Sequence, residues 1–312
     1  SVTVDDNGTK SITDITVDGF ATSATLGGGS SGSLNQLNNL TLREGSGGAN
    51  LTTTTTDLNV VLDDVSGTLT DTGNNIENLT LTAEGDFSLT DVDAQSTTNL
   101  DVTANAGLNI TGSNFGGSLE DVSVSGSNLA NLGDLTGNGS LNSFDASANT
   151  GSVRAEINTA TANVGNIQEF VFGQGNDVVT LAEADMDVDV NGNGGNNRIA
   201  ATGSTFNGAE TAIAAGLSNF QQLEVTDNST AGIDVGELGF DDVITNGSSG
   251  TLNLNEMADG GNVTLTANGT VDVKVANAGA QGEDDNVLNA EVTTRTSGLD
   301  AGTLKAFDVE TI

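Results

Sequence analysis

Apolar and polar residues alternate along most of this chain, and the alternation restricts the fold more than any other feature of the sequence. Segments such as 79–81, 122–124 and 271–273 place an apolar side chain at every second position. In an extended strand this period puts the apolar side chains on one face. Gly, Asn, Asp and Ser separate the segments, as is typical of turns. The pattern predicts an all-β fold of short strands with almost no helix, except for one short helix at residues 209–216.

A six-residue unit recurs along the chain, with the order apolar, two polar, apolar, one polar, apolar. Its copies begin at Leu37, Ile76, Leu119, Ile167, Phe220 and Leu304. The first three copies begin 39 and 43 residues apart, and the later spacings are irregular. Each unit offers a turn residue and then a strand with two inward apolar side chains, a face that it cannot bury alone. Because stacked units can bury this face, the repeat favours a β-solenoid resembling a parallel β-helix, with each repeat roughly two coils long.

Two other arrangements remain compatible with the alternation. A string of immunoglobulin-like sandwiches also has alternating strands, but it usually has longer strands and a buried Trp, and this chain has no Trp. The most Gly/Asn/Asp-rich segment begins near residue 165, which predicts a degenerate-repeat β region at residues 1–165 and a second β region at 166–312. A single continuous β domain is the alternative to that division.

The charge of the chain excludes several classes of function. Seven Lys and Arg residues face 43 Asp and Glu residues, which gives a formal net charge of -36, and there is no His or Cys. Catalytic triads with His, thiol nucleophiles and thiolate zinc sites are therefore excluded. Nucleic acid is not an expected partner, because its phosphates would be repelled. No apolar run reaches the length of a membrane span, so membrane insertion is not expected either. Cations are the natural partners of such a chain.

One segment carries a specific cation motif. Residues 173–179 read Gly-Gln-Gly-Asn-Asp-Val-Val, which fits the calcium-binding nonapeptide except that Phe172 stands where its first Gly is expected. The Asp177 carboxylate is suited to an oxygen cage around Ca²⁺, the predicted cofactor. A degraded copy follows at 193–199, with Asn197 in the place of the Asp. The alternative is a β-turn whose Asp177 side chain only caps its own backbone.

Residues 172–225, and residues 75–225 less continuously, resemble the calcium-dependent S-layer proteins of Gram-negative bacteria, those of the Caulobacter type in particular. The nonapeptide, the Gly/Asn turn that follows and the unit beginning at Phe220 come in the same order. The resemblance implies an RTX-like solenoid that leaves the cell by type I secretion and is ordered by Ca²⁺. It also implies that Asp177 is a ligand and that Gly173, Gly175 and Asn176 supply further oxygens. The chain departs from that family in having one good nonapeptide rather than a tandem array.

Together these features predict a structural protein rather than an enzyme. Enzymes on β-helices that act on polysaccharides usually need aromatic and basic groups, and this chain has 10 Phe, no Trp and no Tyr. The expected function is a secreted protein of the bacterial cell surface that assembles into a calcium-dependent layer or filament. Its expected partners are other copies of itself and a cell-surface polysaccharide. The alternative is a cell-surface adhesin or an adhesin stalk.

Overall fold

The computed structural model is all-β, as the alternation predicts. It describes residues 1–5, 12–28, 34–85, 88–136, 141–157, 169–182, 189–227, 232–247, 250–277, 285–293, 302–307, 309 and 311–312. Strands make up 52% and helices 6%, and the strands stack in parallel as a β-solenoid. Both the fold class and the near absence of helix are therefore confirmed. In the described residues no helix is long and apolar enough to cross a membrane.

Two compact units divide the chain, one of residues 1–177 with 193–195, the other of residues 178–192 with 196–312. The strands of the first unit are β1 (Val2–Val4), β2 (Asp14–Asp18), β3 (Ser23–Leu26), β4 (Asn39–Arg43), β5 (Gly48–Leu51), β6 (Asp57–Asp63), β7 (Ser66–Asp71), β8 (Asn78–Ala83), β9 (Ser88–Asp93), β10 (Asn99–Ala104), β11 (Leu108–Asn109), β12 (Ser113–Asn114), β13 (Asp121–Gly126), β14 (Ala130–Asp134), β15 (Ser143–Asn149), β16 (Val153–Ile157) and β17 (Phe170–Val171). The boundary predicted near residue 165 lies outside the described residues.

The second unit combines parallel strands with three short helices. Its strands are β18 (Val178–Leu181), β19 (Val190–Asn191), β20 (Arg198–Ala201), β21 (Leu217–Ser218), β22 (Gln222–Val225), β23 (Gly232–Asp234), β24 (Asp242–Thr245), β25 (Thr251–Met257), β26 (Asn262–Leu265), β27 (Thr270–Val275), β28 (Asn289–Val292) and β29 (Thr303–Phe307). Its helices are α1 (Gly203–Phe206), α2 (Glu210–Gly216) and α3 (Val235–Leu238). Helix α2 confirms the helix predicted at residues 209–216.

Each unit pairs strands of consecutive coils rather than strands next to each other in sequence. In the first unit one sheet runs β1-β3-β5-β7-β9-β12, a second runs β2-β4-β6-β8-β10-β13-β15-β17, and a third runs β11-β14-β16. In the second unit the sheets run β18-β20-β22-β24-β26-β28, β23-β25-β27-β29 and β19-β21. Parallel strands cannot be joined by a tight hairpin, so the chain must travel around a full coil between partners.

The register of this pairing builds the core from columns of apolar side chains. One column in the first unit contains Leu40, Val60, Leu81, Val102 and Val124, each at most 1% exposed. Successive members are 20 to 22 residues apart in the chain. A side chain therefore packs against the equivalent side chains of the coils before and after it, and no single coil has to bury its own apolar face.

Between Ile76 and Leu119 the six-residue repeat does correspond to two coils. Leu79, in the copy that begins at Ile76, pairs with Leu100, which pairs with Val122 in the copy that begins at Leu119. The coil between them lacks the first apolar residue because Thr97 takes that position. Thr97 is fully buried, and its hydroxyl donates a hydrogen bond to the Ile76 carbonyl oxygen at 3.1 Å. The pattern is absent from this coil for that reason, and it is present again in the coil after Leu119 as Leu141, Phe144 and Ala146.

The last copy of the repeat does not fit the expected inward arrangement. The pattern predicts that the second apolar residue, Phe307, points into the core, but its side chain is 42% exposed. Here β29 begins at Thr303 and its first apolar residue, Leu304, pairs with Val271. Because successive side chains alternate between faces, Phe307, three positions after Leu304, lies on the opposite face. The copy beginning at Ile167 starts outside the described residues.

Polar side chains form ranks on the outer face of the first unit. One rank contains Asp14, Asn39, Asn59, Thr80, Asp101, Ser123 and Asp145. A second contains Asp57, Asn78, Asn99, Asp121 and Ser143. In both ranks at least one neutral residue separates each Asp from the next.

Hydrogen bonds along these ranks stabilise the carboxylates. The Asn39 amide donates to the Asp14 carboxylate at 2.6 Å, and the Asn78 amide donates to Asp57 at 2.7 Å. The pKa of Asp14 is lowered first by the Thr13 hydroxyl and then by this Asn39 amide. Stacked strands are about 4.8 Å apart, where two like charges in water repel by about 1 kcal/mol. The neutral spacers avoid that repulsion and donate hydrogen bonds instead.

We predict that Asn78→Asp destabilises the protein by about 1 kcal/mol more than Asn59→Asp does. Both changes add one charge to an outer rank, but the first places it directly beside Asp57, whereas the second places it between Asn39 and Thr80. Urea unfolding at low and at high NaCl measures the difference, which should shrink in high salt. Equal destabilisation by the two variants would contradict the role of the neutral spacers.

Candidate functional site

The predicted calcium turn lies between β17 and β18, where the chain passes from one strand to the next. Phe172, which breaks the nonapeptide, is fully buried, and its ring stacks on Phe144 with the ring centroids 4.6 Å apart. Phe170 is also fully buried, 6.3 Å from Phe144 between ring centroids. An aromatic stack thus fills the core under this turn, which explains why Phe occupies the position of the expected Gly.

The glycines of the motif are required because consecutive turns lie directly on each other. A Cβ at Gly173 would come within 2.9 Å of the Asn149 carbonyl oxygen, and a Cβ at Gly175 would collide with the Gly151 carbonyl oxygen. Gly195 has a φ of +87°, and a Cβ there would collide with the carbonyl oxygen of Gly175. Only residues without a Cβ allow this close approach of backbone to backbone. This close approach of consecutive turns also brings backbone carbonyl oxygens, such as those of Asn149 and Gly151, next to the turn.

Asp177 is the central polar group of the turn. Its side chain is fully buried, and one carboxylate oxygen accepts a hydrogen bond from the Val153 backbone N–H of the preceding coil at 2.6 Å. Burial raises the pKa of Asp177 to about 6, and hydrogen bonds from the backbone N–H groups of Val153 and Gly173 oppose part of that rise. The bond from Gly173 matches the turn-capping alternative, and the bond from Val153 adds a link between coils that the sequence did not predict.

The other predicted ligands lie in two places. Gly173, Gly175 and Asn176 are on the same turn as Asp177, with Asn176 exposed. Asn197 belongs to the second unit and is fully buried. Its amide donates to the carbonyl oxygens of Gly192 at 2.7 Å and Asn219 at 2.9 Å. Asn197 and Asp177 each come directly before a strand, β20 and β18, whose first residues pair with each other.

Asp177 is the one acidic residue of the predicted ligand set. Across the described residues, no group of three or more acidic side chains is arranged to hold a metal ion. A cation at this turn would therefore depend on the Asp177 carboxylate and on backbone carbonyl oxygens, which are ligands that Ca²⁺ accepts. The same carboxylate also serves as an acceptor between coils. In the second unit Gln221 is also a side-chain acceptor of this kind, since its side-chain oxygen accepts a hydrogen bond from the Asn197 backbone N–H at 2.7 Å.

The sequence analysis did not predict a groove on the outer face of the second unit. The groove has a volume of about 620 Å³. One rank of its lining, taken from four paired strands, contains Gln222, Asp242, Asn262 and Asn289. A second rank contains Ile244, Thr264 and Glu291. Each of these residues is at an outward position of an alternating strand, but only the strand register shows that they form ranks.

No family model, no curated protein and no solved structure matches this chain. The resemblance to RTX-like S-layer proteins therefore depends on the motif at residues 172–181 and on the order of the segments after it.

The raised pKa of Asp177 predicts a pH-dependent contribution to stability. Between the ordinary pKa of 3.8 and about 6, the folded chain holds a proton on this carboxyl that the unfolded chain has released. The stabilisation is therefore complete below pH 3.8 and is lost as the pH rises through 6. In EDTA, the stability of the wild type relative to Asp177→Asn should fall by on the order of 2 kcal/mol across that range.

Urea unfolding between pH 4 and pH 7.5 measures this difference, and Asp63→Asn is the matched control. Asp63 is a half-exposed carboxylate 3.6 Å from the Arg43 guanidinium. A similar pH-dependent difference in the control would show that general repulsion among the carboxylates, and not burial of Asp177, causes the effect.

Proposed function

We propose that this protein is a structural component of the bacterial cell surface that assembles with copies of itself into a calcium-dependent layer or filament. The observation that carries the proposal is the exposed end of the core in the second unit. The column Val225, Thr245, Leu265 and Val292 is at most 4% exposed in its first three members, whereas Val292 is 55% exposed. The coil of β28 and β29 thus leaves an apolar surface uncovered.

The exposed large apolar side chains of the described residues are all close to this end. They are Val292, Phe307 at 42% and Ile312 at 69%. Strands β28 and β29 are each the last strand of their sheet, and Thr311 pairs with Val287 directly before β28. Among the described residues the rest of these two edges presents a row of backbone N–H and C=O groups. An uncovered strand edge with apolar side chains beside it is a favourable surface for pairing with another chain. A second copy of this chain offers the parallel strands that such an edge fits.

Electrostatic repulsion explains why the proposed assembly needs a divalent cation. At a net charge of -36, two copies repel each other strongly in dilute salt. Monovalent salt only screens this repulsion, while Ca²⁺ can be shared by carboxylates of two chains. The predicted calcium turn adds a second role for the ion, since Ca²⁺ bound by Asp177 would neutralise a buried carboxylate. A secreted protein would meet Ca²⁺ outside the cell, which is consistent with an extracellular location.

We predict that Ca²⁺ raises the melting temperature of the wild type at pH 7.5 by several degrees, as expected for a ligand that binds only the folded state. Asp177→Asn should lose most of this increase, because the amide no longer offers a charged oxygen to the cation. Scanning calorimetry in CaCl₂, MgCl₂ and EDTA measures it, with Asp63→Asn as the control. If both variants lose the increase equally, Ca²⁺ acts by diffuse screening, and the site at Asp177 is rejected.

We predict that the wild type forms large particles in CaCl₂ and stays monomeric in EDTA and in NaCl of matched ionic strength. The double variant Val292→Lys/Phe307→Lys should stay monomeric in all three solutions, since charged side chains at a strand edge prevent pairing. Asn59→Lys/Ser123→Lys is the matched control. It adds the same charge at two exposed positions away from the end and should still assemble. Light scattering measures particle size, and circular dichroism checks folding.

A wild type that stays monomeric in all three solutions contradicts the assembly proposal, and an adhesin or adhesin stalk then becomes the better explanation of the solenoid. If Val292→Lys/Phe307→Lys assembles to the same extent as the wild type, the copies use a surface other than the edge of β28 and β29.

A further inference from the structure

The groove on the outer face of β22, β24, β26 and β28 is a second feature that could bind a ligand. Its volume of about 620 Å³ is within the range of roughly 300–1,000 Å³ that is common for ligand sites. Its residues come from regular strands rather than from loops, and paired strands keep them about 4.8 Å apart from one coil to the next. The groove therefore presents polar groups at a regular interval along the solenoid.

Hydrogen bonds already orient parts of this lining. The Gln222 amide donates to the Asp242 carboxylate at 2.9 Å, and the Asn289 amide donates to the Gly260 carbonyl oxygen at 2.7 Å. With its amide nitrogen committed in this way, Asn289 keeps its side-chain oxygen in a fixed direction. The rank therefore has acceptors in fixed positions at Asp242 and Asn289, and it has an amide that both donates and accepts at Asn262.

The second rank adds an apolar surface between polar groups. Ile244 is half-buried although it lies on the outer face, and it pairs with Thr264, which pairs with Glu291. A ligand in this groove therefore meets acceptors and donors along both ranks and the hydrocarbon of Ile244 beside them. The lining contains two carboxylates and no basic side chain, so a negatively charged ligand would be repelled, the more so because the whole chain carries a net charge of -36.

The geometry points to a neutral oligosaccharide as the ligand of this groove. Sugar hydroxyl groups donate to carboxylates and accept from amides, and the C–H groups of a sugar ring can pack on Ile244. An extended chain of sugars also repeats its hydroxyl groups along its length, as the ranks repeat their acceptors and donors. This goes beyond self-assembly, because a protein that contacts only its own copies has no need of such a groove.

The test is a calorimetric titration of the full chain with cellohexaose, maltohexaose and mannohexaose in EDTA. The proposed assembly is dissociated in EDTA, so the result does not depend on whether that proposal holds. At least one of the three sugars should bind, with an affinity that is the same in low and high NaCl. Asn262→Ala should weaken this binding by about tenfold, the effect of losing a pair of hydrogen bonds.

Asn59→Ala is the matched control, since Asn59 is an exposed Asn on the outer face of a strand in the first unit. It should leave sugar binding unchanged. Three results would overturn the proposal: no binding of any of the three sugars at millimolar concentration, equal weakening by both alanine variants, or binding of spermine in their place with a steep dependence on NaCl. The last would assign the groove to a cationic ligand through Asp242 and Glu291.

Discussion

The hydrogen bonds between parallel strands of consecutive coils are the interaction on which the rest of this structure depends. They hold a register in which a residue in the first unit lies beside the residue 20 to 22 positions earlier over most of its length. Every other regularity follows from that register. Apolar residues become columns, polar residues become ranks, and turns lie on turns so closely that Gly151, Gly175 and Gly195 cannot be replaced without a collision. Outside such glycine positions, the fold mainly requires that the sequence keep the coil length and the alternation.

The register also determines how a chain with 43 acidic residues can fold at all. Stacking repeats every outward position at a short interval, so a conserved Asp in each coil would build a line of like charges. The ranks avoid this by placing Asn, Thr or Ser between the Asp residues. In a further rank Arg43 separates Asp18 from Asp63. The amide and hydroxyl neighbours also donate hydrogen bonds, as the lowered pKa of Asp57 beside Thr56 and Asn78 shows. The excess charge is therefore dispersed along these ranks. The exception among the described residues is Glu156, which pairs directly with Asp134, and its pKa is raised by burial and by the Asp134 charge.

Much of this architecture could be predicted from the sequence, because alternation and turn residues are local signals. The all-β class, the helix at α2 and the length of the repeat follow from residues that are close together in the chain. The contact of Asp177 with Val153 could not be predicted, since Val153 is 24 residues earlier and the coil length around it is irregular. The predicted inward position of Phe307 was wrong for a related reason. The six-residue unit specifies which residues are apolar, but it does not specify where the strand begins, and a strand that begins at Thr303 turns Phe307 outward. The groove lining was also out of reach, because ranks exist only once the register is known.

In a closed barrel every strand pairs on both sides, whereas the last strand of each sheet in a solenoid keeps one edge of unpaired backbone N–H and C=O groups. In the described residues β28 and β29 each pair with another strand on one side only, and Thr311 pairs with Val287 directly before β28. Val292, Phe307 and Ile312 are 55%, 42% and 69% exposed, so burying them against another chain would contribute about half of the roughly 1.5–3 kcal/mol that full burial of such a side chain gives. That gain is opposed by the repulsion between two chains of net charge -36, which is long-ranged in dilute salt and short-ranged in concentrated salt. The two terms act in opposite directions, so neither the apolar end nor the charge alone determines whether copies would associate. In the proposed assembly, the ions that neutralise the carboxylates near the contact shift this balance, so association should respond to the kind of cation present as well as to the ionic strength.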